Sequence, residues 1–181
     1  MKKLIILSLI ACFSTLQLQA QVKPEKTENN MKRDIPKISD FPTGEENTGF
    51  AQYFTGKSYL APLTSNKGLN VPLANVTFEP GCRNNWHSHT GGQLLIVIGG
   101  EGLYQERGKP ARHLKAGDIV EIGPNVEHWH GATANSWFSH LATNGSPASN
   151  ENKWLEAVSD EDYQVANNQI LNESTKNGNI N

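Results

Sequence analysis

Between residues 71 and 143 the chain repeats one pattern: short β-forming runs broken by Gly, Pro and Asn turns. The runs are 71–78, 93–98, 102–107, 111–115, 118–122, 127–130 and 137–143. Turn signals lie between them at Glu79-Pro80-Gly81, Gly99-Gly100, Gly108-Lys109-Pro110 and Gly123-Pro124-Asn125. Strands this short and this evenly spaced cannot each bury a core alone. They predict an all-β fold, a closed sandwich or small barrel. With 181 residues, 36% of them hydrophobic, the chain supports one domain of this kind. A formal net charge of −2 argues against bulk electrostatic binding of nucleic acid.

The ends read differently from the middle. Residues 1–20 resemble an export signal peptide: Lys2 and Lys3 precede a short apolar run, and Leu18-Gln19-Ala20 offers a cleavage site. The run is too short for a transmembrane helix, which needs about 20 apolar residues. Leu9-Ile10-Ala11-Cys12 also resembles a lipobox, so a lipoprotein anchored at Cys12 is the alternative. Either way the expectation is an exported protein, periplasmic or secreted. Cleavage after Ala20 leaves Cys82 as the one thiol, read as an inert core residue. Residues 21–48 are polar and punctuated by proline, which predicts a linker and irregular lead-in. The folded domain is expected over residues 49–165. Ser159-Asp160-Glu161-Asp162 marks the capped start of a short C-terminal helix. Asn-rich residues 166–181 read as a disordered tail.

All six histidines fall between His87 and His140. In a strand, residues two apart face the same side, so His87 and His89 converge on one point. Gln93 matches their parity if Gly91-Gly92 makes only a turn. His128-Trp129-His130 repeats the alternation later. Three imidazoles and an amide oxygen suit a divalent transition metal. The alternative is a metal-free barrel in which Gln93 bonds a neighbour. Trp86 and Trp129 are out of phase with the histidines and should pack behind them. Leu95 and Val97 share the Gln93 side of their strand and would make the cavity hydrophobic. His113 reads as a surface residue.

The spacing Gly81-x5-His87-x-His89-x3-Gln93-x6-Gly100 resembles the first cupin motif, with Gln where most members have Glu. Gly117-Asp118, Pro124 and His128 resemble the second. Gly123 replaces the usual Pro there, Asn125 the usual Gly, and Ala132 the terminal Asn. Asn is the mildest replacement for Gly at a left-handed turn position. Phe78-Glu79-Pro80-Gly81, Trp86-His87-Ser88-His89 and His128-Trp129-His130-Gly131-Ala132 are closer still to small bacterial cupins. That group includes the manganese-dependent hydroxynitrile lyases and the cupins associated with carboxymuconolactone decarboxylases.

The resemblance implies a double-stranded β-helix, or jelly-roll barrel, and a homodimer. It implies metal ligands His87, His89, Gln93 and His128. It implies Mn²⁺ first, with Fe²⁺, Zn²⁺, Ni²⁺ or Cu²⁺ as other occupants. Gln in place of Glu leaves one more positive charge on the metal shell, which strengthens the Lewis acid. His140 and His130 are the candidate bases, because imidazole titrates near neutral pH. The expected activity is a lyase acting on small carbonyl or cyanohydrin substrates. A cupin dioxygenase or other oxidoreductase, and a non-catalytic ligand-binding envelope protein, stay open beside it.

Overall fold

The computed structural model describes residues 35–146 and 148–178; the expected export signal, the Cys12 alternative and the first half of the expected linker lie outside these residues. No helix among the described residues is long and apolar enough to cross a membrane. Twelve strands form the body. In chain order they are β1 (Glu45–Glu46), β2 (Phe54–Thr55), β3 (Ser58–Pro62), β4 (Leu73–Phe78), β5 (Arg83–Asn84) and β6 (His87–His89). Then follow β7 (Gln93–Glu106), β8 (Arg112–Lys115), β9 (Ile119–Ile122), β10 (His128–Ala132), β11 (Phe138–Asn144) and β12 (Asn152–Trp154). Among the described residues one α-helix, α1 (Asp160–Gly178), follows the strands.

The sheet runs β1-β3-β4-β11-β7-β10-β5-β2, with β6, β8, β9 and β12 attached at its sides. Every pairing is antiparallel. The strand β7 belongs to both halves of the barrel. Its first part pairs with β9 and β11, its second with β8 and β10. The sequence predicts a turn at Gly99-Gly100; the structure instead carries one strand straight through. Gly100 takes φ +69°, and a Cβ there would stand 1.8 Å from Trp137 O. The two glycines bend the strand so that it changes sheets without breaking, which is how closed β folds make a corner.

The inner faces enclose Phe78, Leu95, Val97, Leu114, Val120, Ile122 and Phe138. Leu95 and Val97 therefore point inward as their parity predicts, but they fill the core. They do not line the cavity, whose apolar wall comes from elsewhere. Cys82 lies in this cluster, and burial pushes its thiol up to about 12, in keeping with an inert core residue.

A second cluster lies on the outer face of β10 and the later part of β7. Trp86, Leu103 and Trp129 pack there against Val158, Tyr163 and Ala166. Both tryptophans face away from the histidines, as the alternation requires. Trp129 Nε1 donates to Gln105 Oε1 at 2.9 Å. The buried Arg83 guanidinium ties the helix down: it donates to Val158 O at 3.1 Å, pairs with Asp160 and lies 4.4 Å over the Tyr163 ring. Tyr163 Oη donates to Ala132 O at 2.8 Å.

The chain ends need two corrections. The body begins before residue 49. Gly44, at φ +82°, lets the backbone turn in close to β3, with which β1 then pairs. Pro42 O accepts the side-chain amide of the buried Asn75 at 2.8 Å, so the lead-in covers the outside of β4. At the other end, Ser159 caps α1 as expected: its Oγ accepts Asp162 N–H at 3.0 Å. The helix then continues to Gly178, through most of the segment read as a disordered tail. Its first turns pack through Tyr163 and Ala166. Once a helix is nucleated by a cap and packing, each further residue adds a backbone bond at little cost. Asn125 takes φ +61°, the left-handed conformation its motif position calls for.

Candidate metal centre

Register brings the histidines together. His128 of β10 stands opposite His87 of β6, with ring centroids 4.2 Å apart. Alternation puts His89 and His130 on the same side. Gln93 enters at the start of β7, and its Oε1 lies 3.2 Å from His128 Nε2. His140 arrives differently. The pairing of β11 with β7 shifts between Ser139 and His140, so that Ser139 faces Gly99 while His140 faces Val97. The extra residue of that shift, Ile98, lies on β7; along β11 the alternation is unbroken, so His140 points into the barrel with Phe138 and Ala142 and is fully buried. Five of the six histidines thus share one interior. His113 sits apart on β8, half-buried, 3.2 Å from Glu101.

Hydrogen bonds set the ring tautomers. His87 Nδ1 donates to Asn85 O at 2.9 Å, and His128 Nδ1 to Val126 O at 2.9 Å. His89 Nδ1 donates to Asn152 Oδ1 at 2.7 Å. In each ring the proton is committed at Nδ1, which leaves a lone pair on Nε2. His89 Nε2 is buried with no hydrogen-bond partner at all. Buried lone pairs without donors are costly in an apo site, and a cation relieves them.

Burial drives the imidazoles toward the neutral form. It pushes His87 well below its ordinary range, with the neighbouring His128 adding to the effect. His128 falls to about 4, again chiefly by burial. His89 is lowered for the same reason. Neutral imidazole is the form that ligates metal.

Not every histidine is equally available. Ring nitrogens of His87, His128 and His130 all lie within 4.8 Å of one another. By distance alone His130 stands where the sequence pattern has His89. Bonding separates the two. Asn84 Oδ1 accepts the backbone N–H of His130 at 2.9 Å, which turns the Asn84 amide nitrogen toward the His130 ring, 3.1 Å from Nε2. His130 Nδ1 lies 3.2 Å from His140 Nε2. His130 is therefore held on both sides, while His89 is not. His140 keeps one nitrogen, Nδ1, buried and without a partner. Burial lowers His140 to about 4 and His130 well below its ordinary range.

The histidines and Gln93 form one end of a cavity of about 330 Å³. Its apolar wall comes from Phe54, Leu60, Leu73, Val76 and Trp154, which sequence reasoning did not select. Tyr53 stacks on Trp154 at 4.4 Å, and Trp154 leans on His87 at 4.8 Å. Sequence reasoning also passed over Asn84 and Asn152. Asn84 lies three residues before the first His-x-His, and Asn152 two before Trp154. Only the strand register shows what they face.

The fold and the histidine-lined interior define a cupin, and this chain belongs to the cupin family. The Cupin domain matches residues 74–139. An (R)-mandelonitrile lyase from Granulicella tundricola is 39% identical over 117 residues, which cover 64% of this chain and 89% of that protein. A cupin-like protein from Thermotoga maritima has 44% identity and a TM-score of 0.66 over 71% of this chain and 96% of its own. A predicted oxalate decarboxylase from the same organism has 22% identity and a TM-score of 0.50, over 66% and 95% of the two chains, and shares the fold alone.

Proposed function

We propose that this chain is a metal-dependent lyase of hydroxynitrile-lyase type, acting on small carbonyl compounds and their cyanohydrins. His87, His89, Gln93 and His128 hold the metal, Mn²⁺ by preference. The observation that carries the reading is the common bonding of the three imidazoles. Each anchors Nδ1–H on an oxygen and so carries its lone pair on Nε2, at the end of a cavity with an apolar wall. The likeness to the mandelonitrile lyase supports the choice of chemistry.

A bound divalent cation supplies Lewis acidity toward a hydroxyl oxygen or cyanide. The rest falls to side chains. The apolar wall takes the organic part of the substrate and excludes water. Cleavage of a cyanohydrin breaks the C–CN bond, forms the carbonyl and moves the hydroxyl proton to cyanide. His140 suits that transfer: it lines the cavity, stands neutral at pH 7 and has a nitrogen without a partner. His130, held by Asn84, keeps His140 in place.

The test is cyanide release from mandelonitrile by Mn²⁺-loaded protein. Release that falls about 100-fold or more in His140→Ala is expected. Release no greater than in His140→Ala would overturn the lyase. Oxygen uptake by the loaded protein would favour a cupin oxidoreductase instead.

Export and a homodimer belong to the same proposal. A mature N-terminus at Gln21 in the cell-envelope fraction supports processing after Ala20, and an acylated Cys12 supports the anchored form. Light scattering of purified protein reads the dimer directly.

A further inference from the structure

His89 differs from the other two imidazoles in what anchors it. His87 and His128 donate to backbone carbonyls two residues away, which no substitution removes. His89 donates to a side chain on another strand. Register places Asn152 of β12 directly opposite His89 of β6.

The amide orientations along this path are fixed by backbone. Gly91 N–H donates to Asn150 Oδ1 at 3.0 Å, so the other end of the Asn150 amide is its nitrogen. That nitrogen donates to Asn152 Oδ1 at 3.0 Å. Asn152 Oδ1 therefore accepts, and the His89 Nδ1 it faces at 2.7 Å must carry the proton. The unpartnered nitrogen of His89 is then a lone pair and not an N–H.

We infer that Asn152, ordered by Asn150, is a positioning residue. It holds His89 in the Nδ1–H tautomer with Nε2 presented as a ligand. The ligand role rests on the metal-centre reading above; the tautomer does not. A hydrogen-bonded partner of this kind orients a metal-binding imidazole and raises its basicity. Asn150 and Asn152 thereby control one of the ligands, although neither belongs to the ligand set itself.

Two variants test this. Asn152 is largely exposed, so Asn152→Leu removes the acceptor without disturbing the core. Asn152→Asp keeps an acceptor for both His89 and Asn150. The first measurement is nitrogen-15 NMR of the imidazoles in metal-free protein. A His89 Nδ1–H tautomer that becomes mixed in Asn152→Leu and returns in Asn152→Asp is expected. The second is Mn²⁺ affinity by competition with a chelator. Asn152→Leu should weaken it about 10- to 100-fold, and Asn152→Asp should restore it. An unchanged tautomer in Asn152→Leu overturns the proposal, as does an unchanged Mn²⁺ affinity. If the wild-type protein binds no divalent cation, the metal-centre reading fails, and the NMR result alone decides the role of Asn152.

Discussion

His87 and His128 are direct cross-strand partners, and their rings pack 4.2 Å apart with both Nδ1 protons tied to backbone carbonyls. The pair is preorganised: the sheet pays for bringing the two nitrogens together, whether or not a cation arrives. Neither ring can turn its Nε2 away without breaking a buried bond.

Metal should therefore add stability to a fold that forms without it, because the Phe78–Leu95–Phe138 core is separate from the ligands. A cation at 100 times its dissociation constant adds about 2.7 kcal/mol. Scanning calorimetry should show a Tm raised by several degrees with Mn²⁺ and lowered again by chelator. In His128→Ala the metal-dependent increment should vanish while a cooperative transition persists.

Acid should weaken the metal-free protein. Burial lowers His128 and His140 from an ordinary 6.5 to about 4, and lowers His87 and His130 well below it. As pH falls through 6.5, the unfolded chain takes up protons that the folded chain refuses. Stability is thus fully present above 6.5 and is lost on acidification, by about 1 kcal/mol per pH unit for each such histidine. For His128 and His140 the loss levels off below about 4. Urea midpoints between pH 7.5 and 5 measure it, and a midpoint independent of pH across that range contradicts the buried neutral cluster.

Arg83→Ala should loosen α1. The guanidinium bonds Val158 O and Asp160 and lies over Tyr163, so its loss leaves a buried carbonyl and an uncovered ring. A cost of about 2–4 kcal/mol is expected. Helical circular dichroism and a urea titration would detect it. Arg83→Lys should recover only part, since an ammonium does not stack as a guanidinium does.

Gly100→Ala tests the strand that changes sheets. The methyl group would meet Trp137 O, and φ +69° is strained for alanine. A loss of at least about 1–3 kcal/mol is expected. Substitution at Gly108, also at positive φ but with open space around it, should cost less. Denaturation of the two variants side by side separates the close approach from the backbone angle.

Local chemistry carried much of this protein in its sequence. The two-residue period along β6 and β10 determined that His87 and His89, and His128 and His130, share a face, and that Trp86 and Trp129 take the other. Asn125 accepted a left-handed turn, and Ser159 announced its helix, because both effects act within a few residues. Tertiary structure decided what depends on partners far along the chain. Gly99-Gly100 bends a strand and does not end it, since β11 and β10 supply pairing on either side of the corner. His140 faces the site because β4 and β7 flank β11 and set which side of it is inward, which depends on pairing partners far along the chain. The cavity wall comes from β2, β3, β4 and β12 and not from Leu95 and Val97, because depth within a barrel is set by closure. Asn152 matters only because register puts it opposite His89. A strand's period fixes which way a side chain points; what it then meets is fixed by the strands that pair beside it.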